Sequence, residues 1–340
     1  MKLGIFFGGQ STEREVSFNT CYNICKVLSG EIDIELFELD LEGKIWMINR
    51  TFFAKSNWDY KNIGMYRMSC AVEYNVDIFM SLIHGNLGED GGLQGLFRSL
   101  NKPFVGCSTL ASALCMDKDI TKRILDYEGI NVADWLVMKT KESYTYEEII
   151  ETLGCPFYVK PASLGSSVGI SRVTTKKEFV EALDVAFTFD KKIVLEQEIR
   201  GIEIECGVIG NEKVIVSEVG SIETEEDGFY DYTKKYVDEH GAILNIPALI
   251  SKNLKKEIQD LSKKIYGILE CQGMARIDFF IDQNEMITVS EVNTVPGFTN
   301  SSMFPLLFKE IGISYKELLL SLISYGFEMH ENNNKVKYEL

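Results

Sequence analysis

Residues 288–305, TVSEVNTVPGFTNSSMFP, set a carboxylate and an amide two positions apart, Glu291 and Asn293, at the end of a run that reads as a β-strand. Residues i and i+2 of a strand project to one face, so two oxygen ligands stand side by side there. Upstream, MARIDFF puts Arg276 and Asp278 in the same relation on a second predicted strand. Were the two strands neighbours, Asp278, Glu291 and Asn293 would form an oxygen-only cluster. Hard oxygen donors with few carboxylates suit Mg²⁺, which completes its shell with water and substrate phosphates. The plainer reading is that acidic and amide residues merely end two strands, and neither pair alone decides between the two. A third motif, VKPASLGSSVG, ends a strand at Lys160 and follows it with a Gly- and Ser-rich loop. Small residues let backbone N–H groups approach phosphate oxygens, and hydroxyls add donors. The spacing is neither Walker A nor Rossmann, and such a loop alone is more often a mobile turn. Lys118, in MDKD, adds a second positive charge near it.

These groups need a scaffold. KLGIFFGG reads as a buried strand feeding a turn, SFNTCYNICKVL has helical spacing, and VDIFMSLIHGNLGEDGG followed by LQGLFRSL repeats the pattern. Strands alternating with helices predict an α/β unit, a doubly wound parallel sheet, over residues 1–105. Ligands of such sheets bind beyond the carboxyl ends of the strands, where the loops 8–15 and 84–91 fall. SALCMDKDITKRILDYEGI reads as one helix leading to a second unit. The motifs TYEE (145–148) and TKKE (175–178) match capping boxes and mark helix starts, and SYKE (314–317) opens a last helix. A strand-rich, partly α+β region follows. It contains one amphipathic helix with Leu254, Ile258, Leu261, Ile265 and Leu269 on a face, and Gly273 as its expected stop. The division expected is 1–105, 106–195 and 196–340.

Composition narrows the partners. A chain of 340 residues with 45% hydrophobic and 25% charged residues is an ordinary globular protein of two or three domains. Its net charge of −16 should repel nucleic acid and anionic membrane, so a small molecule is the expected partner. The eight cysteines form no CxxC pair, and His84, His240 and His330 lie far from any cysteine pair. That argues against zinc and for scattered reduced thiols in the cytosol. The N-terminus lacks the pattern of a signal peptide, and no apolar run approaches the roughly 18 residues of a membrane span. A cytoplasmic location is expected.

In order along the chain, GGQSTEREVSF, HGNLGEDGGLQG, SALCMDK, VKPASLGSSVG, FYDYTKKY, ARIDFF and EVNTVPGFTNSSMFP resemble the sequence blocks of the ATP-grasp superfamily, and more closely those of the D-alanine–D-alanine ligases. The resemblance covers nearly the whole chain. It implies an ATP-grasp fold of two subdomains after the first sheet. It also implies ligation of two D-alanines through an acyl phosphate and a tetrahedral intermediate, for peptidoglycan precursors. By similarity, Lys118 and Lys160 hold ATP phosphates, the 163–169 loop with Ser166 and Ser167 closes over them, and Lys235 reaches the γ-phosphate. Glu196 accepts from the adenine amino group, Gln197 and Ile199 line the base pocket through their backbone, and Glu203 takes the ribose. Asp278, Glu291 and Asn293 carry one or two Mg²⁺ or Mn²⁺ ions, and a monovalent cation is a further candidate. Arg276 stabilises the acyl phosphate and the oxyanion. Glu15 binds the ammonium of the first D-alanine and forms a hydrogen-bonded chain with Ser166 and Tyr236. His84 lies near the second substrate, with Gly297, Ser302 and Met303 at its carboxylate and side chain. Gly88, Glu89 and Asp90 shape a loop in which Glu89 orients its neighbours. The family also implies a homodimer.

The chain departs from the family at Glu198, where many relatives carry an aromatic, which leaves the packing around adenine open. FYDYTKKY keeps the Lys-Tyr pair of dipeptide-forming members, while SALCMDKD is also similar to the D-serine group, so D-alanine–D-serine ligation is the alternative activity. A catalytically silent ATP-binding module would lose acid or cation positions, and Lys235, Arg276, Asp278, Glu291 and Asn293 are all present. An ATP-grasp carboxylase subunit would usually have a longer chain or biotin-related regions.

Overall fold

The computed structural model describes residues 1–11, 13–28, 30–48, 66–67, 75–223 and 243–335. Its first sheet is built from β1 (Lys2–Gly8), β2 (Asp33–Leu39), β3 (Ile45–Ile48), β4 (Tyr66–Arg67), β5 (Ile78–Ser81) and β6 (Phe104–Val105), in the order β4-β3-β2-β1-β5-β6. The four strands β2-β1-β5-β6 are parallel, and β3 and β4 add antiparallel at one edge. Alternation along each strand splits the apolar residues into two cores. Leu3, Ile5 and Phe7 join Cys21, Ile24 and Leu28 of α1 (Arg14–Leu28). Phe6, Phe37 and Phe79 join Leu93 and Phe97 of α2 (Gly92–Ser99). Phe79 stacks on Phe97 with centroids 4.6 Å apart, and Phe6 on Phe37 at 5.0 Å. Each such buried ring contributes roughly 1.5–3 kcal/mol.

The expected single helix after this sheet is two, α3 (Thr109–Met116) and α4 (Lys118–Tyr127), broken at Asp117. Asp117 has extended backbone (ψ 101°), and its carboxylate accepts from the Ile120 N–H at 3.1 Å. It caps the second helix and makes Lys118 its first residue. The second sheet consists of β7 (Trp135–Met138), β8 (Phe157–Pro161), β9 (Ser171–Val173) and β10 (Ile193–Gln197), all antiparallel in the order β7-β10-β8-β9. One face packs on α5 (Tyr146–Leu153) and α6 (Lys176–Phe189). Both helices start at the expected capping boxes, Thr145 with Glu148 and Thr175 with Glu178.

The third sheet has the order β13-β12-β11-β14-β15, formed by β11 (Ile202–Gly210), β12 (Val214–Glu223), β13 (Ile243–Asn245), β14 (Gly273–Ile281) and β15 (Ile287–Asn293). The amphipathic helix α7 (Lys252–Ile268) covers one face through Leu254, Ile258 and Ile265. It stops earlier than expected: Glu270 takes a left-handed φ of 55°, and Gly273 opens β14 instead of ending the helix. Of the two last helices, α8 (Met303–Glu310) packs on β11 and β12 of the third sheet, and α9 (Tyr315–Asn334) reaches back to β5 and β6 of the first. Phe304, Phe308, Leu318 and Leu322 lie in the same core as Leu3, Ile5 and Phe7. Contact there is close. A Cβ on Gly326 of α9 would lie 2.6 Å from the Phe104 carbonyl oxygen and 2.8 Å from Ile78 Cδ1, so only glycine lets the helix seat. Among the described residues, no helix is long and apolar enough to cross a membrane.

Candidate active site

The late strands are neighbours, and their register assembles the polar cluster. Across β14–β15, Arg276 lies opposite Asn293 and Asp278 opposite Glu291; on the other side Asp278 lies opposite Glu205 of β11. A bulge after Asp278 lets Val289 stay in the apolar core while Glu291, two residues on, turns to the polar face. Arg276 Nε and an Arg276 terminal nitrogen each donate to an Asp278 oxygen at 2.7 Å. Nε also lies 3.1 Å from Glu205 Oε2. Burial opposes the guanidinium charge, but Asp278 and Glu205 more than offset it and hold Arg276 protonated. Asn293 Nδ2 donates to Asp278 Oδ2 at 2.9 Å and lies 3.5 Å from Glu291 Oε1. Two carboxylates and an amide therefore converge. Among the described residues no group of three or more His, Cys, Asp or Glu could hold a metal. A cation here would draw the rest of its shell from water and phosphate oxygens, which fits Mg²⁺ or Mn²⁺ and not a cage-bound metal.

Lysines face this cluster. Lys118 Nζ donates to the Leu164 carbonyl at 2.5 Å and lies 3.7 Å from Glu291 Oε2, tying the Gly-Ser loop to β15. Lys160 of β8 binds Glu196 Oε1, and Lys122, one turn beyond Lys118 on α4, lies 2.9 Å from Glu196 Oε2. Burial would raise the Glu196 carboxyl, yet the two ammonium groups outweigh it and pull the group down to about 2. Each carboxylate oxygen keeps a further lone pair. Gln197 ends β10, Ile199 lies in the link to β11, and Glu203 pairs with Ile222 and Phe280. Glu198 is held by Arg172 and by Arg200, the latter at 2.8 Å. Ser166 and Ser167 take left-handed φ values of 54° and 59°. Consecutive residues of this kind strain the backbone by roughly 1–3 kcal/mol each, a strain that tends to gather at ligand clamps.

The first sheet closes the cleft. His84, just beyond β5, donates from Nδ1 to the Val295 carbonyl at 3.0 Å, and its buried Nε2 has no hydrogen-bond partner among the described residues. Glu89 accepts from the Gly85 N–H at 2.8 Å. Burial pushes its carboxyl up to about 8, with Glu13 and Glu291 adding to the rise and the Gly85 N–H opposing it. Gly297 sits beside Ser302, whose Oγ accepts from the Thr299 N–H at 3.0 Å; Ser302 stands at the N-cap position of α8 without a side-chain bond into the helix.

Two expected residues are placed elsewhere. Glu15 is exposed on the outer side of α1; the buried acid of this turn is Glu13, whose Oε2 lies 3.9 Å from where a Cβ on Gly165 would stand. The helix phase explains the difference, because Glu13 leads the row Ser17, Thr20, Cys21, Ile24 and Leu28 that faces the sheet. Met303 is a core side chain, packed with Ile222 and Leu307 against β12, and not a wall of the cleft. Lys235, Tyr236 and His240 lie outside the described residues.

The family described as D-ala D-ala ligase N-terminus matches residues 2–107, and that described as D-ala D-ala ligase C-terminus matches residues 124–324. The chain belongs to the D-alanine–D-alanine ligase family. A curated relative, the D-alanine–D-alanine ligase of Shouchella clausii, is 40% identical over 361 residues, covering 99% of this chain and 97% of the relative. The D-alanine–D-alanine ligase structure from Coxiella burnetii superposes with a TM-score of 0.86 at 32% identity, covering 98% of this chain and 97% of that one. The VanG D-Ala:D-Ser ligase from Enterococcus faecalis gives 0.81 at 35% identity, covering 96% and 99%. The mixed α/β fold, with one largely parallel and two antiparallel sheets, is therefore that of the ligase family. Reading the sequence missed Glu13, Lys122 and Glu205. Lys122 could have been found, since it lies one helical turn from Lys118 on the same face.

Proposed function

We propose that this chain joins two D-alanine molecules into D-alanyl-D-alanine for peptidoglycan precursors, with ATP converting the first carboxylate to an acyl phosphate. One observation carries the reading: Arg276, Asp278, Glu291 and Asn293 share a face of two adjacent strands, and Lys118 links that face to the Ser166–Ser167 loop. The first carboxylate oxygen attacks the γ-phosphorus and ADP leaves. The second amine then attacks the acyl carbon, and phosphate leaves as the tetrahedral intermediate collapses. Lys118 and Lys160 hold the triphosphate, and the loop N–H groups close over it. Glu196, Gln197, Ile199 and Glu203 take adenine and ribose. Asp278, Glu291 and Asn293 would hold Mg²⁺ or Mn²⁺, whose chemistry is to neutralise charge building on the transferring phosphoryl group. Arg276 donates to the oxyanion.

Glu13, not Glu15, takes the ammonium of the first D-alanine, because it is the acid inside the cleft. His84, with Nδ1 committed to Val295, offers Nε2 as an acceptor to the second ammonium. Ser302 and the N-terminus of α8 receive the second carboxylate. The protein works in the cytoplasm as a homodimer. ATP-coupled phosphate release, with products weighed, tests the reading. D-alanine alone should give one phosphate per D-alanyl-D-alanine, and Glu291→Gln should slow release greatly at saturating Mg²⁺. Phosphate release that requires D-serine or D-lactate would replace the substrate assignment, and a Glu291→Gln enzyme with parental turnover would remove Glu291 from the metal site.

A further inference from the structure

Arg276 has one acid more than its bidentate pair requires. Its Nε–H donates to Asp278 Oδ1 at 2.7 Å, a terminal nitrogen takes Asp278 Oδ2, and Glu205 Oε2 stands 3.1 Å from the same Nε as an ion pair. Glu205 is 2% exposed and Arg276 6%, so neither charge is balanced by water. Both Asp278 oxygens are thus occupied by the guanidinium that the reaction needs. A cation at Asp278, Glu291 and Asn293 would compete for the same oxygens. Whatever releases Asp278 must leave a buried guanidinium, and a buried charge without a partner is strongly destabilising. Glu205 stands opposite Asp278 in the β11–β14 register, on the same face, with its carboxylate already at hydrogen-bond distance.

The geometry points to Glu205 as a positioning residue: it retains Arg276 when Asp278 turns to the metal, so that one aspartate can serve the cation while the arginine stays aimed at the reacting centre. The exchange moves one N–H donor between two acids and needs no new group. Local charge agrees. Glu205, Asp278 and Glu291 against Arg276 and Lys118 leave a net −1, and removing Glu205 leaves the cluster neutral while confining Arg276 to Asp278. Both changes weaken cation binding. This inference rests on the metal site proposed above.

Mn²⁺ binding to the full-length enzyme in the presence of ADP, followed by electron paramagnetic resonance, tests it alongside steady-state kinetics. Glu205→Gln should weaken Mn²⁺ about tenfold, the scale of one charge-assisted hydrogen bond, and lower kcat more than it raises the KM for D-alanine. Glu205→Asp keeps the charge and should stay within about threefold of the parent, which also serves if the glutamine variant fails to fold. In an Arg276→Lys background the Glu205→Gln loss should shrink to less than half on a logarithmic scale. Parental Mn²⁺ affinity in a folded Glu205→Gln enzyme overturns the inference. So does a tenfold loss with Glu205→Asp, or an equal loss in the Arg276→Lys background. A parent enzyme whose Mn²⁺ affinity is untouched by Glu291→Gln overturns the metal site itself, which separates the two failures.

Discussion

Glu196→Gln should destabilise the enzyme well beyond an ordinary surface change. The carboxylate is 6% exposed and stands between two ammonium groups, Lys122 and Lys160, of which Lys122 is 3% exposed. Glutamine keeps the volume and one acceptor oxygen but removes the charge that balances both lysines. Breaking a buried ion pair by neutralising one partner costs about 3–5 kcal/mol. The depression of the carboxyl from an ordinary 4.5 to about 2 by the two ammonium groups points the same way, on the order of 3 kcal/mol. At about 2 °C per kcal/mol for a chain this long, the melting temperature should fall by roughly 6–10 °C. Scanning calorimetry of the unliganded enzyme measures it. Adding Lys122→Met to Glu196→Gln should recover part of the loss, because one buried charge then disappears with its unmet need, whereas Lys122→Met alone should destabilise. A drop below about 2 °C, or strict additivity of the two changes, would refute the view that this carboxylate compensates both lysines.

The same group sets an acid limit. A depressed carboxyl contributes stability that is fully present above about pH 4.5 and is lost as pH falls from there through about 2, so the parent should lose melting temperature across that window and Glu196→Gln much less. Arg276→Ala should lower kcat by roughly 10² or more; a change confined to KM would make it a binding group only. Glu13→Ala should raise the KM for D-alanine about tenfold or more, while Glu15→Ala should leave both kinetics and stability within about 0.5 kcal/mol; the reverse pattern would restore Glu15. Gly326→Val should cost about 1–3 kcal/mol by urea unfolding, since its side chain meets the Phe104 carbonyl.

Much of the site could be read from single strands. Glu291 with Asn293, and Arg276 with Asp278, follow from a period of two, and the capping boxes at Thr145, Thr175 and Ser314 are local chemistry. Legibility failed where information is not local. That Glu205 faces Arg276 depends on the β11–β14 register, which pairs residues some seventy positions apart. The opposite facing of Val289 and Glu291 depends on a bulge that no residue type announces. The choice of Glu13 over Glu15 was available in the helix phase, but both acids lie in one short motif and only the sheet beneath α1 says which side is in. The break at Asp117 was masked by a helical pattern that continues across it.

The return of α9 to the first sheet sets an order of events during synthesis. Ile78 of β5 and Phe104 of β6 are met by Gly326 of α9, which follows far later in the chain. At translation rates of about 5–20 residues per second, some ten to sixty seconds separate their emergence from the ribosome. Through that interval α1 already covers β1, but the β5–β6 part of the same face waits for α9, a client surface for a holding chaperone until that helix docks.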